Sequence, residues 1–323
     1  MVDGLGRTID YLRVSVTDRC QLRCVYCMPE QGVPALTHQE ILRFDEVTRL
    51  CTLFAQLGIR KVKVTGGEPL CRKALPHLIQ QLKAVPGIDQ VTLTTNGVDL
   101  APSWQALCQA GLDGVNISLD TLDRALYAKL TRRDRLDDAL KGLRLAAASG
   151  QMPVKVNCVP TTRAQLLWDV AELARTQSIH VRFIERMPVG LGRDVPSLSA
   201  AETKAVLEAA FGPLSPTDGP AGNGPAEYFC LPGFRGTIGF ISALSHTFCQ
   251  NCNRVRLTAT GFLKPCLQFA HGVDLRGPLR AGASDQALLA HMAAAIRAKP
   301  SAHHFGAPFT QGDERRNMRQ IGG

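Results

Sequence analysis

The chain has 323 residues, 45% of them hydrophobic, and its mean hydropathy is close to zero at −0.02. No apolar run approaches the roughly 20 residues that a membrane-spanning helix needs, and we see no signal-peptide pattern before the first strand, so we expect no membrane segment. The net charge of +9 and the pI near 9.1 favour a polyanionic partner. Nucleic acid is the first class to consider, but no run of five basic residues occurs and aromatic residues make up only 6%.

The first two thirds of the chain alternate short β-branched runs with amphipathic segments, which is typical of repeated βα units. Strands are predicted at 11–17, 61–65, 90–94, 114–119, 153–159 and 179–185. Helices are predicted at 44–57, 74–84, 102–110, 135–148 and 163–176, with Gly58, Gly111 and Gly150 just beyond three of their C-termini. Six parallel strands with right-handed crossovers indicate an α/β fold, either a barrel or part of one.

The composition changes at 212–226, where Gly, Pro, Ser and Asn predict a surface loop or linker. Strands at 227–231 and 236–242, a hairpin at 254–264 and a helix at 285–298 are predicted beyond it. We therefore expect a partial barrel over 1–211, the linker at 212–226, and a smaller α+β region over 227–323 that closes the open side.

Three cysteines, Cys20, Cys24 and Cys27, form a C-x3-C-x2-C run directly after the first predicted strand. Electron-carrier [4Fe–4S] clusters have four thiolate ligands, so three thiolates would leave one iron free to bind another molecule. A zinc site or three unrelated thiols are the alternatives, although the spacing is unusual for zinc. With Tyr26 inside the run and Gly66-Gly67-Glu68-Pro69 after the second strand, the chain resembles the radical S-adenosylmethionine (SAM) superfamily. This resemblance implies an incomplete (β/α)6 barrel of the TIM type, with SAM bound to the open iron.

A second group of cysteines, Cys249, Cys252 and Cys266, lies far along the chain and again has no obvious fourth member. Taken alone, the spacing fits a zinc knuckle completed by His246 or His271 equally well. With the basic charge, that alternative would make the protein a zinc-dependent nucleic-acid-binding module. In a chain that already carries the first group, we interpret the second as ligands of an auxiliary [4Fe–4S] cluster whose open iron can bind substrate.

Several segments in sequence order resemble the GTP 3′,8-cyclase family, also called molybdenum cofactor biosynthesis protein A. They are residues 10–20, 26–29, 94–97, 252–257 and 321–323, and the match runs from about residue 3 to the end. The resemblance implies two [4Fe–4S] clusters and SAM as cofactors. It also implies conversion of GTP to (8S)-3′,8-cyclo-7,8-dihydroguanosine 5′-triphosphate, the first step of molybdenum cofactor biosynthesis. A 5′-deoxyadenosyl radical would abstract the ribose 3′ hydrogen, and the sugar radical would attack C8 of guanine.

The same resemblance implies roles for individual residues. SAM contacts fall on Tyr26, Gly66, Gly67, Glu68, Ser118 and Met187. GTP contacts fall on Arg13, Lys63, Thr94, Lys155, Arg254, Val255, Arg256, Gly322 and Gly323, of which Arg254 and Arg256 are the expected catalytic residues. Their i, i+2 spacing puts both arginines on one face of a strand, where guanidiniums can bind phosphates or steady a purine carbonyl. The two last glycines would thread back into the barrel chamber.

Two positions depart from the family pattern: Lys63 replaces an arginine, which loses the planar fork, and Gln21 replaces an asparagine. Gly66 and Gly67 suit a turn at which backbone approaches a ligand closely. The cysteines outside the two groups are expected to be small buried hydrophobes. They are Cys51, Cys71, Cys108, Cys158 and Cys230.

The implied partners are GTP, an external electron donor of the flavodoxin or ferredoxin type, and the next enzyme, cyclic pyranopterin monophosphate synthase. We expect no nucleic acid or membrane partner, and a monomer or homodimer. Because cluster ligation needs reduced thiolates, the expected location is the reducing cytoplasm. A radical SAM peptide maturase with an auxiliary cluster is a competing enzyme class, but such enzymes usually carry more C-terminal cysteines and seldom end in Gly-Gly.

Overall fold

A computed structural model describes residues 1–162, 165–220 and 224–322. The strands are β1 (Tyr11–Ser15), β2 (Lys61–Thr65), β3 (Gln90–Thr95), β4 (Gly114–Ser118), β5 (Val154–Cys158), β6 (Ile179–Ile184), β7 (Ser215–Thr217), β8 (Glu227–Cys230), β9 (Ile238–Ile241), β10 (Arg254–Leu257), β11 (Phe262–Lys264) and β12 (Val273–Asp274). The helices are α1 (Phe44–Gln56), α2 (Leu75–Lys83), α3 (Leu100–Gln109), α4 (Arg124–Thr131), α5 (Leu136–Ser149), α6 (Leu167–Thr176), α7 (Ala200–Phe211), α8 (Arg276–Arg280), α9 (Asp285–Arg297) and α10 (Met318–Ile321).

All strands belong to one sheet in the order β12-β11-β10-β1-β2-β3-β4-β5-β6-β9-β8-β7. The six predicted βα strands, β1 to β6, are parallel neighbours in sequence order, which confirms the predicted α/β partial barrel. β10 adds in parallel to β1, and β9 adds in parallel to β6. The C-terminal third thus extends both edges of the sheet, which does not close into a full barrel.

The strands form where β-branched residues alternate between two faces. In β10, Val255 and Leu257 are buried in the main hydrophobic core, and the intervening Arg254 and Arg256 lie on the opposite face. The helices pack on the core side, so the other face of the sheet is left for polar side chains. None of the helices in the described part of the chain is long and apolar enough to cross a membrane.

Among the described residues, four helices were missed by the sequence prediction: α4, α7 and the short α8 and α10. α4 begins after Asp123, whose carboxylate accepts a hydrogen bond from the Leu126 amide at 2.6 Å. α7 begins with a capping box in which the Ser199 hydroxyl accepts from the Glu202 amide and the Glu202 carboxylate accepts from the Ser199 amide. The Ser-x-x-Glu pattern at Ser199 and Glu202 could have predicted the start of α7 from the sequence.

The predicted linker at 212–226 contains β7, which pairs antiparallel with β8 and so joins the same sheet. Residues 221–223 of this segment lie outside the described residues, as do residues 163–164, where the predicted helix at 163–176 was expected to begin. The division into a barrel, a linker and a C-terminal region stays a prediction.

Candidate active site

A cavity of about 310 Å³ lies along the polar face of the sheet and reaches the loops at the carboxyl ends of its strands. It brings together many of the residues singled out from the sequence: Arg13, Cys20, Cys24, Tyr26, Cys27, Lys63, Gly66, Gly67, Glu68, Thr94, Ser118, Lys155, Met187, Arg254 and Arg256. Cys249, Cys252, Cys266, Val255 and Gly322 do not line it, and Gly323 lies outside the described residues. The position agrees with the rule that βα loops carry the chemistry of such folds.

The first cysteine group occupies the loop after β1. Cys20, Cys24 and Cys27 are free, half-buried thiols, and the Cys27 amide donates to the Cys24 carbonyl at 2.9 Å. Burial raises the pKa of Cys20 to about 12 and that of Cys27 to about 11, so the metal-free thiols stay protonated. Binding to iron would release these protons. Three soft sulfur donors on one short loop, all facing the cavity, fit a cluster with one open iron.

The two glycines after β2 are required by the cysteine loop itself. A Cβ on Gly67 would lie 2.4 Å from the Arg19 carbonyl oxygen, and one on Gly66 would lie 2.7 Å from the Thr17 carbonyl oxygen. The Gly67 amide donates to the Thr17 carbonyl at 2.7 Å, which needs this close approach. The close approach expected at these glycines is therefore made to the protein backbone. Whether SAM also contacts them stays a prediction.

Glu68 connects the loops after β2 and β3. Its carboxylate is 1% exposed and accepts hydrogen bonds from the Thr95 hydroxyl at 2.7 Å, the Asn96 amide at 2.7 Å and the Leu70 amide at 3.0 Å. Burial raises the pKa of Glu68 to about 7, although these hydrogen bonds oppose the rise. The carboxylate thus fixes the two loops that flank the first cysteine group.

Asp120 was not among the predicted site residues, although it follows Ser118 at the end of β4. The Tyr26 hydroxyl donates to its Oδ2 at 2.7 Å, and the Val159 amide donates to its Oδ1 at 2.8 Å. Burial raises the pKa of Asp120 to about 6. Since Tyr26 lies between Cys24 and Cys27, Asp120 holds the cysteine loop against β4 and β5.

Six cationic side chains line the part of the cavity formed by the strands: Arg13, Lys63, Lys155, Arg182, Arg254 and Arg256. Arg13 lies beside Lys63 of β2 on one side and Arg256 of β10 on the other. Burial, together with neighbouring cations, lowers the pKa of Lys63 well below its usual value, that of Lys155 to about 8 and that of Arg256 to about 9. So many desolvated positive charges favour a multiply charged anionic ligand.

Two of these cations have partners that orient them. The Arg182 Nε donates to the Asn157 Oδ1 at 2.9 Å, and the guanidinium of Arg254 lies 4.9 Å from the ring centre of Phe248. The Arg254 Nε is buried with no hydrogen-bond partner among the described residues. Arg182 was missed from the sequence, although its alternate position in β6 puts it on the same face as the other cations.

The second cysteine group lies behind Arg254, next to a buried lysine that the sequence analysis missed. Lys299 is 6% exposed and donates to the carbonyls of Arg254 at 2.8 Å and Pro265 at 2.6 Å. Burial raises the pKa of Cys252, but the charges of Lys299 and Arg254 outweigh it and leave that pKa lowered. A local excess of positive charge favours thiolates at this position.

A zinc knuckle would need ligands that converge on one ion at about 2.3 Å for sulfur. Among the described residues, no three Cys, His, Asp or Glu side chains are placed to hold a single metal ion. A [4Fe–4S] cluster makes no such demand, because its thiolates bind different irons.

The chain end lies beside the cationic residues. The Arg256 Nη1 donates to the Gly322 carbonyl oxygen at 2.6 Å, and Ile321 is buried. Gly322 has φ 87°, and a Cβ on it would lie 2.8 Å from the Cβ of Ser15 in β1. A larger residue would therefore be strained here and would also clash. Gly322 thus lies against β1 and β10 without lining the cavity, and the threading of the last two glycines into the chamber stays a prediction.

Some expectations need correction or refinement. Val255 is buried in the core, so any contact it makes with a ligand would have to involve its backbone. Cys51 and Cys158 are buried as expected, whereas the expectation for Cys230 was wrong because it is exposed at the end of β8. Cys71 is half-buried, and its thiol donates to the Gln21 Oε1 at 3.2 Å.

Comparisons with known proteins agree with this geometry. The radical SAM superfamily profile matches residues 14–163, and the profile described as Molybdenum Cofactor Synthesis C matches residues 179–305. Curated proteins named GTP 3′,8-cyclase are 46% identical in Pelotomaculum thermopropionicum, 45% in Moorella thermoacetica and 47% in Heliobacterium modesticaldum, each over 100% of both chains.

Among solved structures, Streptococcus suis SuiB bound to S-adenosylmethionine matches with a TM-score of 0.60 and 16% identity. The match covers 90% of this chain and 68% of SuiB. A second SuiB structure, bound to the precursor peptide SuiA, matches with a TM-score of 0.58 and 16% identity, over 91% of this chain and 68% of that one. At such low identity, both matches show a shared fold only.

Proposed function

Since the chain belongs to the GTP 3′,8-cyclase family, we propose that it converts GTP to (8S)-3′,8-cyclo-7,8-dihydroguanosine 5′-triphosphate at the start of molybdenum cofactor biosynthesis. The observation that carries the proposal is one cavity with two chemically different ends. Three cysteines lie at one end, and six cationic side chains line the other. When bound, the first [4Fe–4S] cluster and SAM together supply the radical chemistry that removes the ribose 3′ hydrogen.

The cysteine end is suited to hold the first cluster and SAM. Cys20, Cys24 and Cys27 would hold the first cluster, and the iron left without a cysteine ligand would be free to bind SAM. Tyr26, held by Asp120, and the loop of Gly66 and Gly67 close the sides of this end. Ser118 and Met187 line the same cavity, which supports their proposed contacts with SAM. Glu68 already accepts three protein hydrogen bonds, so its main proposed role is to fix the loops.

The cationic end is suited to hold GTP. The triphosphate would offset the repulsion among Lys63, Lys155 and Arg182, whose burial makes their charges costly without an anion. Thr94 lines the same cavity, which supports its proposed contact with the substrate. Lys63 supplies charge at this point without the bidentate geometry of an arginine.

Arg254 and Arg256 are the proposed catalytic pair. Both project from β10 into the cavity, and Arg256 also holds the carbonyl of Gly322. Planar guanidiniums on one face can contact substrate oxygens as charge redistributes during the reaction. The tail at Gly322, together with Gly323, would shape the cavity around the sugar and limit access of water.

We further propose that Cys249, Cys252 and Cys266 hold a second [4Fe–4S] cluster that binds the base of GTP. The positive charges of Lys299 and Arg254 beside Cys252 support thiolate ligands there. A flavodoxin- or ferredoxin-type donor, the cyclic pyranopterin monophosphate synthase as the next enzyme, and a location in the reducing cytoplasm complete the proposal. The relatives at 45–47% identity favour this function over peptide maturation, because the likeness to SuiB concerns the fold alone.

Anaerobic incubation of the reconstituted protein with SAM, GTP and a reductant tests the proposal, with products identified by mass spectrometry. Cys20→Ser should abolish 5′-deoxyadenosine formation. Cys266→Ser should abolish the cyclised nucleotide while some uncoupled SAM cleavage persists. Cys230→Ser is the matched control and should behave as wild type, because Cys230 is exposed and lies away from both cysteine groups.

Metal analysis decides between the cluster and zinc interpretations of the second group. We expect about eight irons per chain, four per cluster. Stoichiometric zinc in anaerobically purified protein, or 5′-deoxyadenosine formation by Cys20→Ser at the wild-type rate, would contradict the proposal.

A further inference from the structure

Arg319 is a buried cation in the last helical turn of the chain, α10. Its side chain is 4% exposed, and it lines the same cavity as the three cysteines of the first group. The Nη1 donates to the Asp18 carbonyl at 2.9 Å, and the Nη2 lies 3.8 Å from the Asp18 carboxylate. The Nε has no hydrogen-bond partner among the described residues. Asp18 lies two residues before Cys20, so this contact joins the chain end to the cysteine loop.

Arg319 also acts on the cysteine group electrostatically. Burial raises the pKa of Cys27, and the backbone N–H and guanidinium of Arg319 oppose that rise because both favour negative charge on the Cys27 sulfur. The last turn therefore brings an N–H donor and a buried positive charge to the same group of thiols. Hydrogen bonds to the sulfurs and local electrostatics are among the factors that set the reduction potential of an iron–sulfur cluster.

The same turn is fixed at its other side. Asn317 caps α10 and accepts a hydrogen bond from the Leu191 amide at 3.2 Å, and Gly322 gives its carbonyl to Arg256. Five consecutive residues, 318–322, thus connect the cysteine end of the cavity to its cationic end. A change that displaces the tail from Arg256 would also move Arg319 relative to Cys27.

We propose that Arg319 is a positioning residue for the first cluster, and that the docked C-terminal turn raises the reduction potential of this cluster. A cluster becomes more negative when it accepts an electron, so a nearby buried cation and an N–H donor stabilise the reduced form. Docking of the tail would then make electron transfer to the first cluster easier. The inference rests on the proposed function only in assuming that Cys20, Cys24 and Cys27 ligate a cluster.

The test is an anaerobic redox titration of the full-length reconstituted protein, followed by electron paramagnetic resonance of the reduced first cluster. Cys266→Ser serves as the background, so that the second cluster does not contribute. In Arg319→Gln we expect the equilibrium constant for reduction to fall on the order of tenfold, which is about 59 mV for a one-electron couple. Arg319→Lys keeps the charge and should show a smaller shift.

Arg315→Gln is the matched control. Arg315 lies in the same segment and is exposed, with its guanidinium 5.7 Å from the ring centre of Phe309. The first cluster of Arg315→Gln should have the same reduction potential as that of the Cys266→Ser background protein. Iron content identifies any variant that fails to assemble the cluster.

An Arg319→Gln potential equal to that of Arg315→Gln would overturn the proposal. If Arg319→Gln does not retain iron, a chain ending at Asn317 replaces it, since it lacks both the cation and the donor to Cys27. An unchanged potential in that truncated chain would equally overturn the proposal. The titration contains no GTP, so its outcome is independent of whether the enzyme cyclises GTP.

Discussion

The close contact between the Gly66-Gly67 turn and the cysteine loop makes Gly67→Ala a sharp test of how the first cluster site is built. The new Cβ would lie 2.4 Å from the Arg19 carbonyl oxygen and 2.7 Å from the Asp18 carbonyl oxygen. Both obstacles are backbone atoms, so no side-chain rotation can relieve them. Restoring ordinary van der Waals separation requires a displacement of roughly 1 Å between the two loops.

That displacement weakens two hydrogen bonds that join the loops, from the Gly67 amide to Thr17 and from the Glu68 amide to Arg19, both 2.7 Å. Each is worth about 0.5–1.5 kcal/mol, and overpacking adds about 1–3 kcal/mol. We therefore expect Gly67→Ala to lower the free energy of unfolding by about 2–6 kcal/mol. The moved cysteine loop should also hold its cluster less well.

Chemical denaturation of the metal-free protein gives the stability, and iron content after anaerobic reconstitution gives the effect on the cluster. Gly312→Ala is the control, because the nearest atom to its Cβ would be the Thr310 hydroxyl at 3.9 Å and its φ is not in the left-handed region. Wild-type stability together with wild-type iron content in Gly67→Ala would refute the idea that these glycines are needed for packing of the cysteine loop.

Three further predictions concern the charged groups of the cavity. Arg256→Ala should weaken GTP binding by about 1.5–3 kcal/mol in equilibrium dialysis, because it removes a buried cation. Arg60→Ala is the control, since Arg60 is exposed and its loss should leave GTP binding unchanged. Equal GTP affinities of the two variants would show that Arg256 is not part of the binding site. Lys155 is charged below its lowered pKa of about 8, so GTP affinity should fall as pH rises above that value, with proton uptake on binding seen by calorimetry. Lys155→Met should lose this pH dependence. If GTP affinity in that variant varied with pH as in the wild type, Lys155 would not be the group responsible. Glu68→Gln replaces one of the two accepting oxygens with an NH2 donor that faces a backbone N–H, and should cost about 1–3 kcal/mol in chemical denaturation. The pKa of Glu68 is raised from 4.5 to about 7 in the folded protein, so the free energy of unfolding of the wild type should fall as the pH rises from 4.5 to about 7. This fall should be smaller in Glu68→Gln, which cannot titrate at this position.

Much of the fold followed from local patterns in the sequence. The six parallel strands were predicted because β-branched runs alternate with amphipathic segments, and their ends differ from the structure by at most two residues. The cavity residues on β1, β2, β5 and β10 were found because their motifs resemble one family. A strand at 215–217 was missed because it has three residues, one of them proline, and is paired by its distant partner β8.

The contacts that organise the site could not be predicted, since they join residues far apart in sequence. Asp120 holds Tyr26, and Arg319 holds Asp18 from 301 residues away. No local sequence pattern identifies the partners in these two hydrogen bonds, because the partners depend on which loops the sheet brings together. Gly66 and Gly67 were recognised, but their close neighbour proved to be the cysteine loop.

The most direct test of the proposed cavity chemistry uses GTP deuterated at the ribose 3′ position. The two ends of the cavity should place SAM beside the sugar of GTP, so we predict that deuterium appears in the 5′-deoxyadenosine formed by the wild-type protein. The Arg256→Ala variant should transfer less deuterium per SAM cleaved. Unlabelled 5′-deoxyadenosine formed together with the cyclised nucleotide would contradict the proposed arrangement.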